Sequence, residues 1–97
     1  MAQVVYTRGA LDDLELRFRF LAQESEAAAL DALRVIQSAV STLADHPLIG
    51  RPAQGELREL VISFGHTGFI ALYRYLPSQQ LVRVLGLRHQ RELGHDA

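Results

Sequence analysis

The chain of 97 residues contains no cysteine and no lysine, and it has no long apolar run. Without cysteine, disulfide bonds and thiolate chemistry are excluded. Because no stretch approaches about 18 consecutive apolar residues, we expect no membrane-spanning segment. Residues 1–6 lack the basic and apolar regions of a signal peptide, so we expect a cytoplasmic protein.

The basic residues are all arginine, and the formal net charge is −1. A charge near zero gives no general electrostatic attraction to nucleic acid. Arginine binds carboxylates and phosphates in a planar, two-pronged way, although the codon bias of a GC-rich genome is the plainer reason for its dominance. The four histidines do not have metal-ligand spacing, and no glycine-rich phosphate loop is present. We therefore expect no cofactor and no metal.

The first half of the chain predicts a strand followed by two helices. Gln3 to Tyr6 is a candidate edge strand, and Thr7 is a typical N-cap for the first helix. Asp12 and Asp13 would add negative charge near the helix N-terminus. The apolar stripe with helical spacing consists of Leu11, Leu14, Phe18 and Leu21.

Ser25 is a plausible N-cap for the second helix, which should end before Pro47. Only a few residues separate the helices, which favours an antiparallel helical hairpin. Leu16 and Phe20 lie off the stripe, so the first helix is more apolar than a small core needs. The second helix should bury Ala29, Leu30, Leu33, Ile36, Val40 and Leu43.

The second half predicts three strands, Leu57 to Phe64, Phe69 to Leu76 and Leu81 to Arg88. The nearly unbroken apolar run of the middle segment suits a central strand covered on both faces. We interpret residues 66–68 and 77–80 as turns. The whole pattern predicts one α+β domain over residues 1–97, with the helical hairpin packed on a small antiparallel sheet of three to four strands.

Several short motifs occur in a fixed order in the second half. They are Gly50-Arg51-Pro52, Leu57-Arg58-Glu59-Leu60, the strand from Gly68 to Tyr75, and the segment from Val82 to Arg91. Together with the preceding strand and helices, this series resembles the ParE/RelE toxin superfamily, and the ParE-like branch in particular. The resemblance covers nearly the whole chain. It implies a type II toxin of a plasmid-stabilisation system.

The resemblance also implies a cognate antitoxin, of the ParD-like, ribbon-helix-helix type, whose C-terminal segment wraps the helical hairpin and the sheet edge. A homodimer and a toxin–antitoxin hetero-oligomer are both compatible with it. The surplus apolar surface of the first helix would then seat the antitoxin, or these side chains would enter the chain's own core or a dimer contact. The antitoxin-binding candidates are Leu14, Leu16, Phe18, Phe20 and Arg58.

The superfamily has two main activities. RelE-like members cut messenger RNA on the ribosome, whereas ParE-like members inhibit DNA gyrase by protein contact. The ribonucleases resemble one another in an arginine on the central strand, where this chain has Ile70, and in lysines that this chain lacks. The ParE-like function is therefore favoured, without a catalytic residue. The candidates for target contact are Arg83, Arg88, His89 and Arg91.

Two alternatives remain. In a ribosome-dependent ribonuclease, His89 would act with the neighbouring arginines, and Glu56 or Glu59 would supply a carboxylate. The chain could also be an inactive protein of toxin fold that only binds a partner. If Arg58, Arg83 and Arg88 converge, they would form a cationic face for an acidic segment.

Overall fold

The protein is described from a computed structural model, which describes residues 1–90. The chain forms five strands and two helices, with a 3₁₀ turn after the second helix and another before the last strand. In chain order the elements are β1 (Gln3–Tyr6), α1 (Arg8–Ala22), α2 (Glu26–Ser41), β2 (Arg51–Pro52), β3 (Leu57–Phe64), β4 (Thr67–Leu76) and β5 (Leu81–His89), with the 3₁₀ turns at Thr42–Ala44 and Pro77–Gln79.

The strands form one sheet in the order β1-β5-β4-β3-β2. The predicted α+β class and the helical hairpin on a sheet are confirmed. The predicted number and direction of the strands need correction, because the sheet has five strands and β1 pairs with β5 in parallel. Sequence periodicity could not reveal β2, which is only two residues long. It also could not show that the first strand lies beside the last.

Both predicted N-caps are confirmed. Thr7 Oγ1 accepts a hydrogen bond from the Ala10 amide at 3.2 Å, and Ser25 Oγ accepts one from the Ala28 amide at 3.1 Å. Such bonds satisfy amides that have no partner within the helix. Asp13 lies beyond the first turn of α1, and its Oδ2 accepts a hydrogen bond from the Leu87 amide at 2.9 Å. Asp13 thus covers the edge of β5 after β1 has ended.

The predicted helix stripes are partly wrong. Leu11 and Leu30 are 47% and 49% exposed, whereas Ala10 and Ala32 are buried. Small residues let helices and a sheet approach closely, so Ala10 and Ala32, rather than Leu11 and Leu30, face the core. The other predicted residues are buried or half-buried, namely Leu14, Phe18, Leu21, Ala29, Leu33, Ile36, Val40 and Leu43.

A two-residue turn, Gly65 and His66, connects β3 to β4, because Phe64 pairs directly with Thr67. The turn predicted at residues 66–68 is therefore shifted, and β4 begins two residues earlier than expected. Gly65 has a φ of +61°, which glycine adopts without steric cost. A two-residue turn of this kind matches the twist of the paired strands. It fixes which side chains of β3 and β4 share a face.

The core lies between the helices and one face of the sheet, which we call the helix face. Alternate residues of each strand point towards it. Its buried members include Ile36, Val40, Ile62, Phe69, Ala71, Tyr73, Val82 and Val84. The opposite face, called the open face, is covered by neither helix. β4 is the central strand, as predicted. On the open face Ile70 is 5% exposed but Arg74 is exposed, so β4 is covered on both faces along only part of its length. Within residues 1–90, no helix is long and apolar enough to cross a membrane.

Candidate functional site

The open face carries arginines on β2, β4 and β5. Arg74 lies directly opposite Arg83 in the register of β4 and β5, and its guanidinium contacts Glu56 Oε1 at 2.7 Å. Arg51 Nε bonds to Glu59 Oε1 at 3.0 Å. Arg83 and Arg88 are exposed, and neither makes an ion pair within the part of the chain described. Four arginines and two glutamates give this face a net charge of +2, against −1 for the whole chain.

A depression with an apolar floor lies beside Arg88. Its volume is about 210 Å³, and Ile70 is only 5% exposed although no helix covers it. We call it the open-face pocket. It is lined by Ala53, Gln54, Leu57, Glu59, Ile70, Leu72 and Arg88. The loop after β2 therefore supplies one wall, and the central strands supply the floor. The floor is therefore apolar at Ile70, the position at which the resemblance implies an arginine in ribonucleases.

His89 lies on the other side of the sheet from Arg88. It pairs with Phe69, a core residue of the helix face, whereas Arg88 pairs with Ile70. The imidazole meets the Phe69 ring edge-on at a centroid distance of 5.5 Å, and its Nε2 lies 3.4 Å from Thr67 Oγ1. Two of the predicted target-contact residues, Arg83 and Arg88, thus share the open face, and His89 does not join them. Arg91 lies outside the described residues.

A second groove, of about 490 Å³, surrounds His89 at the end of the helical hairpin. We call it the His89 groove. It is lined by Arg17, Phe20, Leu21, Glu24, Thr67, Phe69 and His89. An imidazole, a carboxylate and a guanidinium therefore border one depression. Sequence spacing could not suggest this grouping, since its members come from α1, from the connection after it and from two strands far along the chain.

The antitoxin-binding candidates on α1 fall into two pairs. Leu16 and Phe20 are 56% and 62% exposed, and as residues four apart they share one side of the helix. Leu14 and Phe18 are half-buried and lie against α2. The surplus apolar surface expected from the sequence is therefore real, but only the first pair presents it to solvent.

Arg58 lies on the helix face, because it pairs directly with the buried Tyr73. Its guanidinium donates hydrogen bonds to the carbonyl oxygens of Leu48 and Gly50, at 3.2 and 2.7 Å. It therefore does not converge with Arg83 and Arg88. Its observed contacts hold the loop that precedes β2.

The hydroxyl of Tyr73 also binds the loop that precedes β2. It donates to the Pro47 carbonyl oxygen at 2.8 Å and accepts from the Gly50 amide at 2.9 Å. Burial raises the pKa of Tyr73, while the Gly50 bond and the charge of Arg58 act in the opposite direction. Because the loop leads directly to Arg51 and Ala53, Tyr73 and Arg58 together position one wall of the open-face pocket.

Residues 1–90 contain no group of three or more histidine, cysteine, aspartate or glutamate side chains that could hold a metal ion. The walls of the open-face pocket were not identified from the sequence. The available signal was that Ile70 and Leu72 alternate with the core residues of β4 and so must face away from the helices.

The chain is similar to known toxins along almost its whole length. The family model described as the ParE toxin of the type II toxin–antitoxin system parDE matches residues 4–94. Toxin RelE2 of Caulobacter vibrioides is 36% identical over 93 residues, which cover 96% of this chain and all of that protein. Toxin RelE3 of the same organism is 35% identical over 80 residues, covering 82% of this chain and 85% of that protein.

A solved structure titled as the chromosomal ParDE toxin–antitoxin system from P. aeruginosa has the same fold. It aligns with a TM-score of 0.72 and 22% identity, over 92% of this chain and 96% of that one. The predicted superfamily is thereby confirmed, and an antitoxin partner follows from membership of it. The chain belongs to the ParE toxin family of type II toxin–antitoxin systems.

Proposed function

We propose that this toxin inhibits DNA gyrase by protein–protein contact and has no catalytic residue. The observation that carries the proposal is the composition of the open face, where an apolar floor at Ile70 lies beside the exposed Arg88, and Arg83 is exposed further along the same face. Such a surface suits contact with a protein. We propose that this surface is the site of target contact. We also propose that residues 1–97 form one toxin domain and that it acts in the cytoplasm.

The arrangement of titratable groups supports a non-catalytic toxin. Cleavage of RNA through the 2′-hydroxyl needs a general base, a general acid and cations around one phosphate. On the open face, Glu56 and Glu59 are both bound to arginines, and the described portion of the chain places no histidine there. His89 is separated from Arg88 by the sheet itself. Of the ribonuclease site proposed from His89 and its neighbouring arginines, His89 and Arg88 thus lie on different faces.

Ribonuclease activity remains the second candidate function, and the His89 groove is the observation that favours it. There the imidazole of His89, the carboxylate of Glu24 and the guanidinium of Arg17 border one depression. Such a set contains groups able to transfer a proton and to bind a phosphate. An RNA-cleaving site in this chain would therefore lie beside the helical hairpin and away from the open face.

For neutralisation, we propose a ParD-like, ribbon-helix-helix antitoxin that covers the exposed side of α1. Leu16 and Phe20 would be the direct contacts, and Leu14 and Phe18 would support them from beneath. An amphipathic segment that lays its apolar face against these side chains would remove them from water. Arg58 would contribute through the loop that it holds.

The test is a DNA supercoiling assay with purified gyrase. The wild-type toxin should inhibit supercoiling, and addition of the cognate antitoxin should restore it. In a parallel reaction, ribosome-bound messenger RNA should remain intact. Normal supercoiling together with cleaved message, lost on His89→Ala, would replace the first function with the second.

A further inference from the structure

We propose that the open-face pocket binds a segment of the target protein in which one apolar side chain neighbours a carboxylate. The apolar side chain enters the pocket, and the carboxylate binds Arg88 at its rim. The inference rests on the proposed protein–protein function and adds the chemistry of the partner's contact segment.

The size of the pocket suits a single side chain. Its volume is about 210 Å³, and Leu57, Ile70 and Leu72 line it. An apolar cavity of roughly 150 Å³ is enough for a benzene ring, so a leucine or phenylalanine side chain has room here. Such anchors in small, desolvated pockets account for much of the binding energy of protein interfaces. The shape therefore identifies one anchor residue of the partner.

The charges around the pocket specify the neighbour of that anchor. Glu59 is bound to Arg51 at 3.0 Å, whereas Arg88 at the same rim makes no ion pair with any residue from 1 to 90. Arg83 is likewise exposed on this face. A carboxylate placed beside the anchor would form a charge-assisted, two-pronged hydrogen bond with the Arg88 guanidinium, which makes no ion pair within residues 1–90. The partner segment is therefore acidic next to its apolar residue.

The same face is poorly suited to RNA. Single-stranded nucleic acid is usually held by aromatic side chains on which bases stack. No aromatic residue of the described strands points to the open face, because those of β3 and β4 all alternate towards the helices. A protein segment is thus favoured over a nucleic acid.

The first test reverses the charge at the rim. Full-length Arg88→Glu is compared with Arg8→Glu, which changes the same charge at an exposed residue of α1. Affinity for immobilised gyrase and inhibition of supercoiling are both measured. We expect Arg88→Glu to weaken both by at least about tenfold, since like charges replace an ion pair. Arg8→Glu should stay within about twofold of the wild type.

The second test fills the pocket. Ala53→Leu adds an apolar side chain at the pocket wall without removing any core group, and Ala27→Leu makes the same change on an exposed part of α2. We expect Ala53→Leu to weaken gyrase binding by about tenfold or more because the anchor side chain no longer enters. Circular dichroism and thermal unfolding should show that all four variants keep the fold.

The outcomes separate the two proposals. If the wild-type toxin inhibits gyrase and both pocket variants inhibit it equally well, the pocket is not the contact site, although the proposed function stands. If the wild type neither binds nor inhibits gyrase, both proposals are overturned. If an RNA oligonucleotide binds the wild type and this binding is lost in Arg88→Glu, the open face binds a nucleic acid and the inference is wrong.

Discussion

Arg88 and His89 are neighbours in β5, yet their side chains lie on opposite faces of the sheet. Arg88 pairs with Ile70 above the open-face pocket, and His89 pairs with Phe69 beneath the helical hairpin. A pleated strand separates consecutive side chains in this way. The two groups therefore cannot act on one phosphate, and variants at the two positions should have different consequences for the toxin.

We expect His89→Ala to leave toxicity intact and Arg88→Ala to reduce it. The reason is that the proposed target contact lies on the face of Arg88. The measurement is growth of cells after induction of each variant without antitoxin, with toxin levels compared by immunoblot. Loss of toxicity in His89→Ala at an unchanged protein level would instead point to the His89 groove.

Phe20→Asp should weaken the complex with the antitoxin. Phe20 is 62% exposed, so the substitution has little effect on the isolated chain, but it places a charge in the proposed apolar contact. We expect a loss of about 2 kcal/mol or more in binding free energy. Calorimetric titration of toxin with antitoxin would measure it.

Val61→Asp is the matched control for that experiment. Val61 is 43% exposed, but it lies in β3 on the open face, which is covered by neither helix. Its effect on antitoxin affinity should be small. Equal losses in the two variants would show that the exposed side of α1 has no special part in neutralisation.

Gly50→Ala and Tyr73→Phe should both destabilise the fold. A Cβ at position 50 would lie 2.6 Å from the Tyr73 ring and 2.9 Å from the Glu59 carbonyl oxygen, so the packing must shift. Crowding of this kind costs about 1–3 kcal/mol. Removing the Tyr73 hydroxyl leaves the Gly50 amide and the Pro47 carbonyl without their partner, also at about 1–3 kcal/mol.

Urea denaturation gives the free energy of unfolding for these variants. Tyr75→Phe serves as the control, because the Tyr75 hydroxyl makes no hydrogen bond within residues 1–90. Its effect should stay below about 0.5 kcal/mol. A comparable loss in Tyr73→Phe and Tyr75→Phe would contradict the special role given to the Tyr73 hydroxyl.

The free energy of unfolding should fall as the pH rises above 10. Burial raises the pKa of Tyr73 and of Tyr6 above the ordinary value of 10.0. Below that pH both phenols are protonated in the folded and unfolded states. Above it the unfolded chain loses protons that the folded protein retains, so ionisation favours unfolding. Urea denaturation at increasing alkaline pH should show this slope, and Tyr73→Phe should make it shallower.

Asp13→Ala should destabilise the chain by about 1.5–3 kcal/mol, whereas Asp13→Asn should retain most of the stability. The Leu87 amide donates to Asp13 Oδ2, and a hydrogen bond to a charged group contributes about this amount. Asparagine still offers an accepting oxygen. Thermal unfolding of both variants measures the difference, and equal losses would mean that the charge itself, rather than the accepted hydrogen bond, is what matters.

The sequence predicted the elements whose signal is local. The caps at Thr7 and Ser25, and the strand Leu57–Phe64, were predicted correctly, because each depends on a side chain within three residues or on a strand's own composition. The family resemblance supplied the arrangement of helices on sheet. The predicted buried side of each helix was partly wrong, because Leu11 and Leu30 were expected to be buried and are exposed.

The candidate site was less predictable because it depends on distant pairing. Which arginines share a face follows from the register of β4 with β5, and a bulge between Leu72 and Tyr73 interrupts that register. The placement of Ala53 in the pocket wall depends on Arg58 and Tyr73 binding a loop that precedes them in the chain. No local pattern encodes those contacts. Arg83 and Arg88 could therefore be predicted as contact candidates from the sequence, but the pocket beside Arg88 could not.

The parallel pairing of β1 with β5 has a consequence for the synthesis of the toxin. Thr7, which follows β1, bonds to Leu85, 78 residues further along the chain. Contacts of such long sequence separation form late in folding, because a large loop must close first. On the ribosome, β1 therefore cannot pair with β5 until almost the whole described chain has emerged. Since Arg83 and Arg88 belong to that last strand, a truncated nascent chain can neither complete its sheet nor present the proposed target surface.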